Sequence, residues 1–213
     1  MWTGMFQTMK KSLIAMSVGL FSMIGAQVLA AETAAAQRPQ AQKAPEMAVQ
    51  VPAKTIDWKE FHSSVGRCRV SFPSAPEHVS QRLTTPEIGY DLKYDAYISS
   101  LDKKTVFMLL VAQYPDYVDQ TYAQMSLEAF LNGILTYNPE NQLIFADLLL
   151  VNGNEALDFF IRAGGVYFKG RAIMVKNSLY LMAMECDVKL YDEQNYNKFV
   201  ESFKLVIPEV KTK

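Results

Sequence analysis

The run Leu143-Ile144-Phe145-Ala146-Asp147-Leu148-Leu149-Leu150-Val151, followed by the turn Asn152-Gly153-Asn154, decides how this chain is read. Three more apolar runs of strand length come directly after it: EALDFFIRA (155–163), VYFKGRAIMV (166–175) and LYLMAMECDV (179–188). Gly164-Gly165 and Lys176-Asn177-Ser178 separate them. Such runs, broken by short Asn/Gly clusters, predict antiparallel strands joined by tight turns, because Asn and Gly accept the left-handed backbone that a two-residue hairpin demands. The segment Gln142–Val188 is therefore expected to be a four-stranded meander at the core of a sheet, with functional groups on loops that it positions.

Upstream, Leu127, Phe130, Leu131, Ile134 and Leu135 recur at helical spacing, with Ser126 placed to cap them, and Asn138-Pro139 closes the helix. Before that, Thr105 to Tyr114 is apolar on both faces, so it predicts a strand covered on both sides. The stretch Tyr90 to Ser99 alternates strictly and predicts a strand with one wet face. His78 to Thr85 is polar and predicts an edge strand. Arg67 to Phe72 alternates up to Pro73, and Asp57 to Phe61 predicts a short helical turn anchored by Trp58 and Phe61. Downstream, Asp192 is placed to cap a last helix bearing Tyr196, Phe199, Val200 and Phe203 on one face. Strands, a helix, strands and a helix make an antiparallel sheet with helices packed on it, the α+β class.

The first 54 residues are of another kind. Lys10 and Lys11 precede the apolar run Ser12 to Ala30, with Val28 and Ala30 at the small-residue positions of a cleavage site, so residues 1–30 read as a secretory signal peptide. The alternative is an inner-membrane anchor formed by residues 12–30, since spanning takes about 20 apolar residues. Residues 31–54 are rich in Ala, Gln and Pro without an apolar period and predict a disordered linker. One domain remains, residues 55–213. The expected location is periplasmic or secreted, with membrane contact only through an uncleaved N-terminal segment.

Of the 213 residues, 50% are hydrophobic and 20% charged, with a net charge of −1 that becomes −3 without Lys10 and Lys11. A nearly neutral domain with no basic run lacks the electrostatic footprint of a nucleic-acid binder. Cys68 and Cys186 are an even pair in an exported domain and suggest one disulfide; the competing reading is two buried thiols that never meet.

Candidate chemistry is sparse. His62 and His78 flank Cys68, but the cysteine alternates with Val70 and Phe72 and points with the core, which disfavours a nucleophile. Metal-ligand spacings, phosphate-binding glycine loops and a hydrolase elbow do not occur in the sequence, so no cofactor, metal or catalytic residue is assigned. Asp147 and Asp158 interrupt apolar strands on either side of the Asn152-Gly153 turn. With Arg162 or Arg171 they are a candidate polar cluster, for a ligand or as a structural ion pair. Tyr114, Asp116, Tyr117 and Asp119 form a candidate contact loop, because tyrosine suits interfaces.

Several of these residues fall into a familiar order. Trp58-x-x-Phe61 leads to Gly66-x-x-x-Val70-x-Phe72-Pro73-x-x-Pro76, then Gln113-Tyr114-Pro115, Val151-Asn152-Gly153, Asn177-x-x-Tyr180 and Phe199-x-x-Ser202-Phe203. The pattern resembles the PsbP-like fold family, which includes the photosystem II extrinsic subunit and DcrB-type bacterial periplasmic proteins. It covers nearly all of residues 57–205. The resemblance implies a curved antiparallel sheet sandwiched between helices, used mostly without catalysis for docking to larger assemblies; it carries over no functional residue. The expectation is thus an exported, non-enzymatic protein-binding or assembly-associated domain of the cell envelope. The alternative is a small-molecule or lipid carrier whose pocket is lined by aromatics and by Met108, Met125, Met174, Met182 and Met184.

Overall fold

Alternation along each strand sorts the side chains between two apolar layers. The structure, a computed structural model, describes residues 56–85 and 90–206. The expected signal peptide and linker lie outside the described residues.

The order is β1 (Lys59–Ser63), β2 (Cys68–Phe72), β3 (Glu77–Thr85), β4 (Tyr90–Ser100), β5 (Thr105–Gln113), α1 (Ala123–Tyr137), β6 (Asn141–Val151), β7 (Asn154–Ala163), β8 (Val166–Val175), β9 (Ser178–Asp187), α2 (Glu193–Glu201) and β10 (Lys204–Leu205). A seven-stranded antiparallel sheet runs β3-β4-β5-β9-β8-β7-β6, and a three-stranded sheet runs β1-β2-β10. The α+β antiparallel architecture is as expected.

On β5, Val106, Met108 and Ala112 point into one layer with Leu127, Phe130 and Ile134 of α1. Phe107, Leu109 and Val111 point into the other, with Phe72 of β2 and Phe199 of α2. A strand apolar on both faces is stable only when both are covered, and each fully buried Leu or Phe contributes about 1.5–3 kcal/mol. Helix α1 lies over β6, β7 and β8, whereas α2 contacts β2 and β9. The small sheet shares the α2 face, which the sequence reading left to the helix alone.

Local chemistry explains the turns. Asn152 and Gly153 take φ of 51° and 78°, the left-handed pair of a two-residue hairpin, between β6 and β7. Gly170, on β8, has a steric role: a Cβ there would lie 2.6 Å from Phe159 Cζ and 3.1 Å from Leu181 Cδ1.

Four expectations are corrected. The Asp57–Phe61 segment leads into strand β1, paired in register with β2; Trp58 still anchors it, edge-on to Phe107 at 5.1 Å. Helix α1 begins at Ala123, three residues before Ser126, because Asp119 caps the preceding 3-10 turn by accepting from the Thr121 backbone N–H. The wet face of β4 survives at Lys93 only to give way at Tyr97 and Ser99, which are buried; Phe61 of the small sheet packs on Tyr97 at 4.7 Å.

The cysteines are the fourth. Both are free and buried, and no disulfide joins them. Cys68 lies near Gly66, Val111 and Tyr180, whose hydroxyl donates to the Gly66 carbonyl at 2.9 Å. Cys186 stands six residues further along β9, opposite Thr105. Six residues of strand span about 20 Å, whereas a disulfide needs Cα atoms within about 7 Å.

Candidate functional site

The meander is not all core. Its first strand, β6, is the outer edge of the large sheet, and Leu143, Ile144, Leu148 and Leu150 remain 44, 49, 43 and 66% exposed. The opposite edge, β3, reads EHVSQRLTT and is polar in the way that edges avoid unwanted pairing. A register shift between Leu143 and Phe145 interrupts β6 near its start, leaving Phe145–Val151 as an unbroken strand.

Behind that edge, on the α2 face, β7 and β8 carry two ionic groups. Asp147 and Asp158 are cross-strand partners, as the hairpin register predicts. Arg171, partner of Asp158 on β8, donates Nε and Nη2 to its two carboxylate oxygens at 2.6 and 2.7 Å. Those bonds hold the guanidinium above its ordinary pKa, against the opposing effect of burial. Arg162 does not join the cluster: it lies level with Gln142 and donates Nε to the Gly164 carbonyl at 3.3 Å.

One cross-strand step along, Lys169 is 9% exposed, and its ammonium donates to both oxygens of Glu193 on α2 and to the Tyr191 hydroxyl. The rings of Phe145, Phe160, Tyr191 and Tyr196 stand 5.7, 5.4, 5.7 and 4.6 Å from it. A cation enclosed by ring faces keeps much of the electrostatic stabilisation it loses with water. Tyr191 also donates to Glu193. Burial alone would raise the Glu193 carboxyl, but the bonds from Lys169 and Tyr191 outweigh it and hold the group below its ordinary pKa.

The other candidates are placed elsewhere. The Tyr114 side chain is buried, and Asn177 Nδ2 donates to the Tyr114 carbonyl at 2.8 Å and to Asp116 Oδ1 at 3.1 Å. Asp119 is the cap of the 3-10 turn. Tyr117 is 66% exposed and Asp116 and Asp119 are exposed beside it, so three of these four residues reach the surface and Tyr114 does not. His62 is bonded to Glu60 at 2.8 Å and His78 to Asp95 at 2.7 Å, while burial pushes the Cys68 thiol up to about 12; these groups make no nucleophile–base pair. Met108 and Met174 lie in the α1 layer, Met182 and Met184 in the α2 layer, and Met125 is exposed, so the methionines share no pocket. A cleft of about 630 Å³ does open beside β1, lined by Ile56, Phe61, Pro73, Pro76 and Leu101 among others, with no methionine in its wall.

No family model and no curated protein matches the sequence. Among solved structures, cyanobacterial PsbP (CyanoP) from Synechocystis sp. PCC 6803 superposes with a TM-score of 0.51 at 11% identity, covering 74% of this chain and 98% of that one. The fold is PsbP-like. A Bacteroides thetaiotaomicron protein aligns more loosely, at TM-score 0.33 and 9% identity over 69% of this chain and 48% of that one. A Pseudomonas aeruginosa protein of unknown function aligns at 0.31 and 8% over 61 and 83%. At such identities the PsbP-like likeness is one of fold, so every functional residue has to be argued from this chain.

In this PsbP-like domain the sequence reading missed Lys169, Glu193 and Tyr191, and the openness of β6. A lone lysine in the apolar run VYFKGRAIMV is a signal for the first, since lysine is almost never fully buried unless paired. Nothing local identifies its partner 24 residues away.

Proposed function

We propose that the chain is an exported, non-enzymatic domain of the cell envelope that binds another protein or a larger assembly. The observation that carries this is the contrast between the two edges of one sheet: β3 is polar, while β6 leaves Leu148 and Leu150 in solvent along an edge that no other described strand pairs. The strongest polar groups nearby serve one another, Asp158 with Arg171 and Glu193 with Lys169, which suits a scaffold better than a reaction centre. Export rests on the Lys10-Lys11 and Ser12–Ala30 pattern. The test is a photo-crosslinking residue at Leu150 in intact cells of the source organism. Capture of a distinct protein is expected, and recovery of the uncrosslinked chain alone would sink the proposal.

The carrier reading has one observation in its favour, the cleft beside β1, whose volume lies in the range of small-molecule sites. Native mass spectrometry of gently purified protein separates the two: a co-purifying ligand, lost on substituting Phe61 by Asp, belongs to the carrier alone.

A further inference from the structure

The edge that carries the docking proposal also indicates what chemistry would occupy it. Asp147 is the single charged residue of β6, and it is exposed. Its cross-strand neighbour Asp158 already holds Arg171 through two bonds, and among the described residues no ion-pair partner is found for Asp147. Asp147 shares the α2 face with the half-buried Phe145, Leu149 and Val151. Leu148 and Leu150 lie on the α1 face, alternating with it along an unbroken strand. An incoming antiparallel strand would therefore meet apolar side chains on both faces and one uncompensated carboxylate.

We propose that Phe145–Val151 receives an extended strand of a partner protein bearing a lysine or arginine opposite Asp147, with apolar residues on either side of it. This rests on the docking reading and specifies its partner. Strand addition supplies the main-chain hydrogen bonds, and the alternate side chains supply selectivity. A second copy of this chain fits less well. Pairing centred on Leu148 sets each Asp147 against Leu149 of the other copy, and pairing centred on Asp147 sets the two acids directly opposite, which is destabilising. Neither arrangement brings a counter-charge.

The test uses three blocked peptides of about nine residues, a usual strand length, alternating valine and threonine with lysine, norleucine or glutamate at the centre. Binding to the whole protein is read by fluorescence anisotropy. The lysine peptide should bind about tenfold tighter than the glutamate peptide, the summed effect of gaining an opposite charge and losing a like one. Asp147→Asn, at an exposed position and checked for an unchanged melting midpoint, should remove that preference. Leu150→Lys should weaken all three peptides.

Equal affinities, no binding of any peptide, or a preference that survives in Asp147→Asn would each overturn the inference. So would dimerisation in sedimentation that Leu150→Lys abolishes and the peptides cannot compete away, which would assign the edge to a second copy. If crosslinks from Leu150 capture a protein through a segment without a basic residue, the docking proposal stands and this inference falls.

Discussion

The Lys169 ammonium on β8 lies 2.7 and 2.8 Å from the two carboxylate oxygens of Glu193, in the first turn of α2, and so ties that helix to the sheet across 24 residues of chain. The lysine side chain is 11% and the glutamate side chain 48% exposed at this pair, so removing the carboxylate strands a buried cation while water still reaches one side. Glu193→Gln is expected to lower stability by about 2 kcal/mol in urea denaturation, less than the loss for a fully buried pair. Lys169→Met, which removes the charge and keeps the apolar volume, should cost about 1 kcal/mol or less. The Glu193 pKa is depressed in the folded state, so its contribution is present above the ordinary value of 4.5 and is lost as pH falls through the lowered one. Lys169→Met should flatten that acid limb.

Glu185 has the opposite sign. It lies on the α1 face of β9 between Val106 and Phe168, and burial pushes its carboxyl up to about 7 from 4.5. Between those values the folded chain holds a proton that the unfolded chain has lost, so stability falls as pH rises from 4.5 to 7. The full shift corresponds to at most about 3 kcal/mol, and partial exposure reduces it. Glu185→Gln should therefore stabilise the protein by about 2 kcal/mol more at pH 8 than at pH 5, measured by chemical denaturation at both. An equal effect at the two pH values would refute the assignment.

Gly170 is a packing position. Because Phe159 and Leu181 fill the space a Cβ would take, Gly170→Ala is expected to cost about 1–3 kcal/mol through overpacking. Gly165→Ala, where a Cβ meets nothing within 4 Å, is the control and should stay within about 0.5 kcal/mol. Thermal melts of the two variants make the comparison.

The thiols give a simple readout. Burial pushes Cys68 up to about 12 and Cys186 up to about 11, and the two stand on different sheets with no disulfide between them. Neither should react with an aromatic disulfide reagent while the chain is folded, and both should react in denaturant. The mass of the purified protein should not change on reduction.

The strands from β2 to β9, their hairpin positions and both helical stripes were legible in the sequence because each depends on neighbours a few residues apart, whereas β1 reads locally as a helical turn. Asn152-Gly153 dictates its own turn, Leu127 and Phe130 mark one side of a helix, and Asp192 does cap α2, accepting from the Gln194 and Asn195 backbone N–H groups. Register followed too: once the turn is placed, Asp147 must face Asp158. The sequence alone thus determined the α+β class and which residues share a face. Tertiary structure decided which strand lies at an edge, since an apolar run reads the same with or without a neighbour: β6 and β7 differ in partners more than in composition. It decided that Arg171 rather than Arg162 meets Asp158, that Lys169 meets Glu193, and that Cys68 and Cys186 stay apart. Those pairings depend on how separate elements stack in space, and no local periodicity records that distance. The meander that the sequence placed at the core therefore has an edge strand as well, and that apolar strand, whose single acid has no ion-pair partner among the described residues, is where docking is proposed.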